Sequence, residues 1–171
     1  MSSKAQPGLR DEAPADYAAI RAVNLAAFGG AEEADLIEAP RPEGAVLLSQ
    51  VAVQDGQVVG HILFSRMFVD TDDGPIDAVA LAPVAVLPAA QRTGIGSALI
   101  QSGLDTLRHR GERIVIVVGH PAYYPRFGFS ATLARPLDSP FPGDAFMALE
   151  LVPGALDNVC GRVRYNKAFG C

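Results

Sequence analysis

Two short stretches of this 171-residue chain gather residue types that can hold a charged ligand and move a proton. The first is Gln91-Arg92-Thr93-Gly94-Ile95-Gly96, followed by Ser97. Glycines at a strand-to-helix junction let backbone N–H groups approach a ligand closely, and a helix N-terminus favours phosphate. Arg92 adds a charge-assisted donor. The competing reading is a tight turn that uses glycine for geometry alone. A dinucleotide-binding turn requires a third glycine at position 99, where Leu99 stands, and a triphosphate loop requires Gly-Lys-Ser/Thr, which is absent. The second stretch is Tyr123-Tyr124-Pro125-Arg126-Phe127-Gly128-Phe129, just after Gly119-His120-Pro121. A tyrosine at the carboxyl end of a central strand, in line with the glycine loop, is a candidate site residue; the alternative is that both tyrosines merely cover an edge. Phe127 and Phe129 read as core aromatics, and Pro125 limits any helix here to roughly one turn.

The elements around these stretches follow from periodicity and turn chemistry. The apolar positions between Tyr17 and Phe28 fit an amphipathic helix with Pro14 in its first turn, ended by Gly29-Gly30. Residues 32–39 are compatible with a second short helix, stopped by Pro40. Runs at 47–53 and 58–69 flank Asp55-Gly56, a strong hairpin signal, and a polar turn at 70–75 leads to a nearly apolar run over 76–87. Pro83 sits inside that run, where it cannot donate to a sheet ladder, so a bulge or a split from one neighbouring strand is expected. A helix from the glycine loop to about Arg110 buries Ile95, Leu99, Leu104 and Leu107, with Gly111 as its C-cap. Residues 113–118 form an interior strand, and 146–152 the clearest late one. Strand, glycine loop, helix, strand implies parallel pairing of the two strands. The expected class is α+β, one domain over 1–171.

Composition narrows the classes of function. Hydrophobic residues make up 49% and charged residues 19%, which argues against wholesale disorder. Fourteen basic against nineteen acidic side chains give a net charge of −5, and no basic run suggests nucleic acid as a partner. No apolar stretch approaches the roughly 18 residues that span a bilayer, and the N-terminal residues hold none like a signal peptide's. Cys160 and Cys171 form no CxxC, and no histidine cluster completes a metal site. A cytoplasmic protein without metal or membrane partner is expected.

Taken together, the motifs resemble the GCN5-related N-acetyltransferase superfamily, in particular a bacterial subgroup of small acetyltransferases. Its phosphate loop reads Gln/Arg-x-x-Gly-x-Gly/Ala, matched by Gln91, Gly94 and Gly96. A bulged strand precedes that loop in the family, as Pro83 suggests here. A tyrosine after the next strand precedes Gly-Phe, matched by Tyr124 before Gly128-Phe129. The resemblance covers roughly residues 8 to 152. It implies a mixed, mostly antiparallel sheet with a central parallel, splayed strand pair and flanking helices. It also implies acetyl-CoA as co-substrate and direct attack of a primary amine on the thioester. By similarity, the backbone of Val84, Ala85 and Val86 takes the pantetheine arm, a form of β-augmentation. Gln91, Arg92, Thr93, Gly94, Ile95, Gly96 and Ser97 cradle the pyrophosphate, and Tyr124 protonates the departing thiolate.

The amine must be neutral to attack. At pH 7 deprotonation costs about 4.6 kcal/mol for a lysine-like amine, against roughly 1 kcal/mol for an α-amine. Glu32, Glu33, His61 and His120 are the candidate bases; no motif selects one, which leans toward a low-pKa amine or base action through water. The Pro-rich stretch 134–144 and the tail after Val152 are expected to shape the pocket for a small-molecule or peptide amine. A monomer or homodimer is expected. The alternative function is an acyl-CoA-binding or sensing protein of the same fold without efficient turnover.

Overall fold

The structure, a computed structural model, describes residues 8–28, 46–140 and 143–164. Strand β1 (Gly8–Asp11) leads through a 3-10 turn (Pro14–Asp16) into helix α1 (Tyr17–Phe28). Strands β2 (Val46–Gln54), β3 (Gln57–Thr71) and β4 (Gly74–Val86) follow as a meander. Helix α2 (Ile95–His109) connects to β5 (Ile114–Val118). A 3-10 turn (Tyr124–Phe127), the single-turn helix α3 (Ala131–Ala134) and short strands β6 (Leu137–Asp138), β7 (Phe146–Glu150) and β8 (Gly161–Arg164) complete the chain. The strands form one mixed sheet in the order β1-β2-β3-β4-β5-β7, with β8 pairing β3 and β6. Antiparallel pairs dominate, and β4 runs parallel to β5. No helix among the described residues is long and apolar enough to cross a membrane.

The Asp55-Gly56 hairpin forms as its sequence dictates. Both residues take left-handed φ, 52° and 77°, the type I′ turn whose twist matches the flanking strands. Helix α2 ends as Gly111 predicts: its N–H donates to Arg108 O (3.1 Å) and that of Glu112 to Leu107 O (3.0 Å), a Schellman motif. The helix expected over 32–39 lies outside the described residues.

Tertiary contacts group the chain into two compact units, residues 1–64 with 83–103, and 65–82 with 104–171. The first has a core of Ile20 and Val23 from α1 against Val51, Val58, Leu63 and Ala85. In it α2 lies close on β3: a Cβ on Gly60 would stand 3.0 Å from Ile95 and 3.1 Å from Leu99. Asp16 ties the start of α1 down, accepting two bonds from Arg10 (2.6 and 3.0 Å) and one from the Ala13 N–H (2.7 Å). Those donors favour the ionised form and pull its pKa down to about 2.

The second unit has its own core, built from Met67, Val69, Ala78, Ala80, Ile114, Ile116, Phe146 and Ala148 among others. Strand β5 pairs with β7 over all five of its residues, from Ile114↔Glu150 to Val118↔Phe146. Its parallel register with β4 is much shorter, Val79↔Val115 and Ala80↔Ile116. Pro83 lies beyond that register, at a place where a missing N–H costs no β4–β5 bond.

Candidate active site

The glycine loop is set up by the last residues of β4, in the first unit. The N–H of Leu87 donates to Val59 O (2.9 Å), holding the strand end on β3. Val84 and Val86 are half-buried, and Ala85 is buried in the core with α1. The side-chain amide of Gln91 donates to Val86 O (3.1 Å), and the Thr93 hydroxyl donates to Ala90 O. Two of the loop's polar side chains therefore fasten the loop itself. Arg92 and Gly94 both adopt left-handed φ, 65° and 88°, on either side of Thr93. Alternating handedness of this kind turns successive N–H groups to one side, a concavity suited to an anion. A Cβ on Gly94 would meet nothing within 4 Å, so glycine serves there for its φ rather than for room.

Helix α2 opens directly from this turn. Its first internal bond runs from Ala98 N–H to Gly94 O (2.9 Å), so the amides of Ile95 and Gly96 have no acceptor within the helix. Residues 91–94 are exposed, while Ile95 is buried and anchors the first turn. The residues expected to act together at this end, Val84, Ala85, Val86 and 91–97, are thus joined by the Gln91–Val86 bond.

Tyr124 belongs to the second unit, in the segment after β5. The N–H groups of Tyr123 and Tyr124 both donate to His120 O, at 3.0 and 3.3 Å, and Pro125 opens the short 3-10 turn. The Tyr124 ring meets Tyr123 edge-on at 5.1 Å and Phe129 edge-on at 5.8 Å, with Phe127 tilted at 6.5 Å. Burial among these rings, and secondarily the neighbouring Tyr123 phenol, pushes the Tyr124 pKa up to about 12. The phenol is therefore a weaker acid than a free one. Tyr124 keeps its proton throughout the neutral range, so its hydroxyl has a hydrogen to donate. Tyr123 carries Arg126 over its ring face at 4.8 Å and is anchored from the outside.

The candidate bases fare differently. His61 is fully buried on β3. Its Nε2 lies 2.8 Å from Ser49 Oγ, and its Nδ1 lies 3.3 Å from Asn24 Nδ2. The Ser49 hydroxyl donates to Glu12 Oε2 (2.7 Å), and the Asn24 amide also donates to Ile20 O (2.9 Å). Ser49 has one proton and gives it to Glu12, so His61 Nε2–H must donate to Ser49 and Nδ1 must accept from Asn24. With both nitrogens committed and no exposed surface, His61 is a structural residue rather than a base within reach of an amine. His120 is exposed, and its carbonyl supports the turn that carries Tyr124. Glu32 and Glu33 lie outside the described residues. The stretch expected to shape an acceptor pocket does border a cavity: Ala134, Arg135, Asp138, Ser139, Asp144 and Phe146 help line about 310 Å³. Sequence reasoning missed Glu12, Asn24 and Ser49, whose polar types carry no signal until three elements converge on His61.

Comparison with known proteins agrees with this geometry. The Acetyltransferase (GNAT) family profile matches residues 14–129. The chain is 35% identical over 164 residues to the uncharacterized N-acetyltransferase YhbS of Escherichia coli K12, covering 94% of this chain and 97% of that protein. The crystal structure of YhbS from Escherichia coli in complex with CoA superposes with a TM-score of 0.90 at 33% identity, over 100% of this chain and 96% of the other. A GNAT family acetyltransferase from Brucella melitensis in complex with acetyl-CoA gives a TM-score of 0.80 at 38% identity, over 95% and 97%. With the phosphate-loop pattern, the β4–β5 parallel pair and these relatives in agreement, the chain belongs to the GNAT acetyltransferase family.

Proposed function

We propose that this protein is an acetyl-CoA-dependent N-acetyltransferase, working as a single domain, that acetylates a primary amine by direct attack on the thioester. The observation that carries the reading is the loop at 91–97, with family-matching Gln91, Gly94 and Gly96 and left-handed turns that open the start of α2. Relatives crystallised with CoA and with acetyl-CoA supply the ligand. In this reading the backbone at 92–97 holds the pyrophosphate, and the side chain of Gln91 holds the loop. The backbone of Val84, Ala85 and Val86 lies along the pantetheine arm, past the point where the β5 register ends.

The amine nitrogen bonds to the acetyl carbon, the carbon–sulfur bond breaks, and the sulfur leaves as a thiolate that takes a proton from Tyr124. A phenol at about 12 is a weaker acid than a free one. Relative to a thiol near 8.5 the transfer is uphill by several pKa units, at about 1.4 kcal/mol each. Tyr124 therefore works first as a hydrogen-bond donor to developing charge on sulfur, and the proton crosses late. With His61 enclosed and no residue assigned as base, proton removal from the amine falls to water, to the exposed His120 or to a group outside the described residues. That favours an acceptor of modest pKa over a lysine-like one. The stretch 134–144, with its cavity, forms the acceptor side in this reading, and the net charge of −5 suits a cationic amine.

The test is release of CoA thiol from acetyl-CoA over a panel of polyamines, amino acids, aminoglycosides and peptide N-termini. Saturable release with one class is expected, largest for α-amines. Tight acetyl-CoA binding with no release from any amine would make the protein an acyl-CoA-binding module instead. Absence of acetyl-CoA binding would overturn the reading altogether.

A further inference from the structure

Gly119 differs from the glycines at the chain's tight turns. Its φ is not in the left-handed region, so the backbone there is open to any residue. What excludes a side chain is the Tyr124 ring. A Cβ on Gly119 would stand 2.9 Å from Cδ2 of that ring and closer still to Cε2. The backbone here is held in place. The Gly119 N–H donates to Ala145 O (3.0 Å), and the preceding residue, Val118, is in register with Phe146. The ring also meets Phe129, which is 2% exposed, and Tyr123, both edge-on.

We propose that Gly119 is a positioning residue for Tyr124: the space left by its missing side chain is the slot in which the phenol ring lies, and this fixes where the hydroxyl points. The inference rests on Tyr124 being the proton donor to the leaving thiolate. Phe127 and Phe129 give the ring an apolar seat, and among the described glycines Gly119 is the one whose added carbon would run into it. Displacement moves the hydroxyl and lets water reach it, while the glycine loop of the other unit keeps its own hydrogen bonds.

The experiment compares Tyr124→Phe, Gly119→Ala, Tyr124→Leu and the Gly119→Ala/Tyr124→Leu double variant. Gly119→Ala should lower kcat by about tenfold or more, with acetyl-CoA affinity held within about threefold. Alkaline titration of tyrosine absorbance should show its most resistant phenol moving back toward about 10. Gly119→Ala should also lower Tm in the otherwise native chain and leave it unchanged on the Tyr124→Leu background, where the ring is gone. If Gly119→Ala alone does not fold, a folded double variant makes the same point. An equal loss of Tm with and without the ring, or a double variant that fails where Tyr124→Leu folds, would show that the backbone needs the glycine and overturn the inference. A low kcat in Tyr124→Phe with native kcat in Gly119→Ala would overturn it alone. Native kcat in Tyr124→Phe, with chemistry limiting, would remove the acid role and Gly119's with it.

Discussion

The loop at 91–97 and the turn at 119–129 both rely on glycine, for opposite reasons. At Gly94 the surroundings are empty and the φ of 88° demands glycine; at Gly119 the φ is ordinary and the surroundings are full. In the proposed reaction the loop acts through backbone direction: residues 91–94 are exposed, Gln91 and Thr93 fasten it internally, and its donors are N–H groups. The turn acts in that reaction through one phenol whose properties are made by the rings around it. A backbone site tolerates side-chain changes that keep the path of the chain. A packed side-chain site is altered by any neighbour that moves the ring.

The sharpest way to break this contrast is at the phenol. Tyr124→Phe should lower kcat by about a hundredfold, within the 10²–10⁴ range for a positioned proton donor, with acetyl-CoA affinity nearly unchanged. Tyr123→Phe should change kcat far less, because its ring is braced by Arg126 outside. Steady-state kinetics and calorimetry on both variants decide it, and equal kcat values for the two would erase the distinction. Gly96→Val should weaken acetyl-CoA binding by about tenfold or more, with kcat at saturation retained, by crowding the anion's place at the start of α2. Full affinity in a folded Gly96→Val protein would remove the loop from the binding site.

Two smaller effects sharpen the backbone side. Acetyl-CoA should slow amide exchange at Val84 and Val86 several-fold more than at Val115 to Val117, which already sit in the β5–β7 ladder. Equal slowing would place the pantetheine elsewhere. Arg92→Ala should cost only about threefold in affinity, and the loss should shrink as salt rises, because the guanidinium is exposed and screened. A larger, salt-insensitive loss would mean that the side chain, not the backbone, holds the anion.

What the sequence disclosed follows the same division. The Asp55-Gly56 hairpin, α2 with its Gly111 cap, and β5 depend on neighbours within a few residues, so their spacing is readable directly. The loop's three fixed residues are likewise local. The early strand Gly8–Asp11 and the late strands β6 and β8 are not legible: they span only two to four residues, and their pairing partners, such as Val53 for Gly8 and Val69 for Val163, are remote. Spacing to Gly128-Phe129 points to Tyr124, but its upward shift in pKa is set by rings that come together only on folding. His61 shows the same limit, since nothing in its neighbours along the chain announces Asn24, Ser49 and Glu12.

That buried chain of hydrogen bonds has a direction, from the Asn24 amide through the imidazole and the Ser49 hydroxyl to the Glu12 carboxylate. The imidazole and the hydroxyl each give a proton one way and receive one from the other, so replacing Asn24, Ser49 or Glu12 costs one of them a partner, at about 1–3 kcal/mol. Replacing the set together by apolar residues of similar shape avoids that penalty. The four positions are therefore tied in their permitted histories: a lineage can keep them all or exchange them as a group, but single-step drift at one of them runs through a destabilised intermediate.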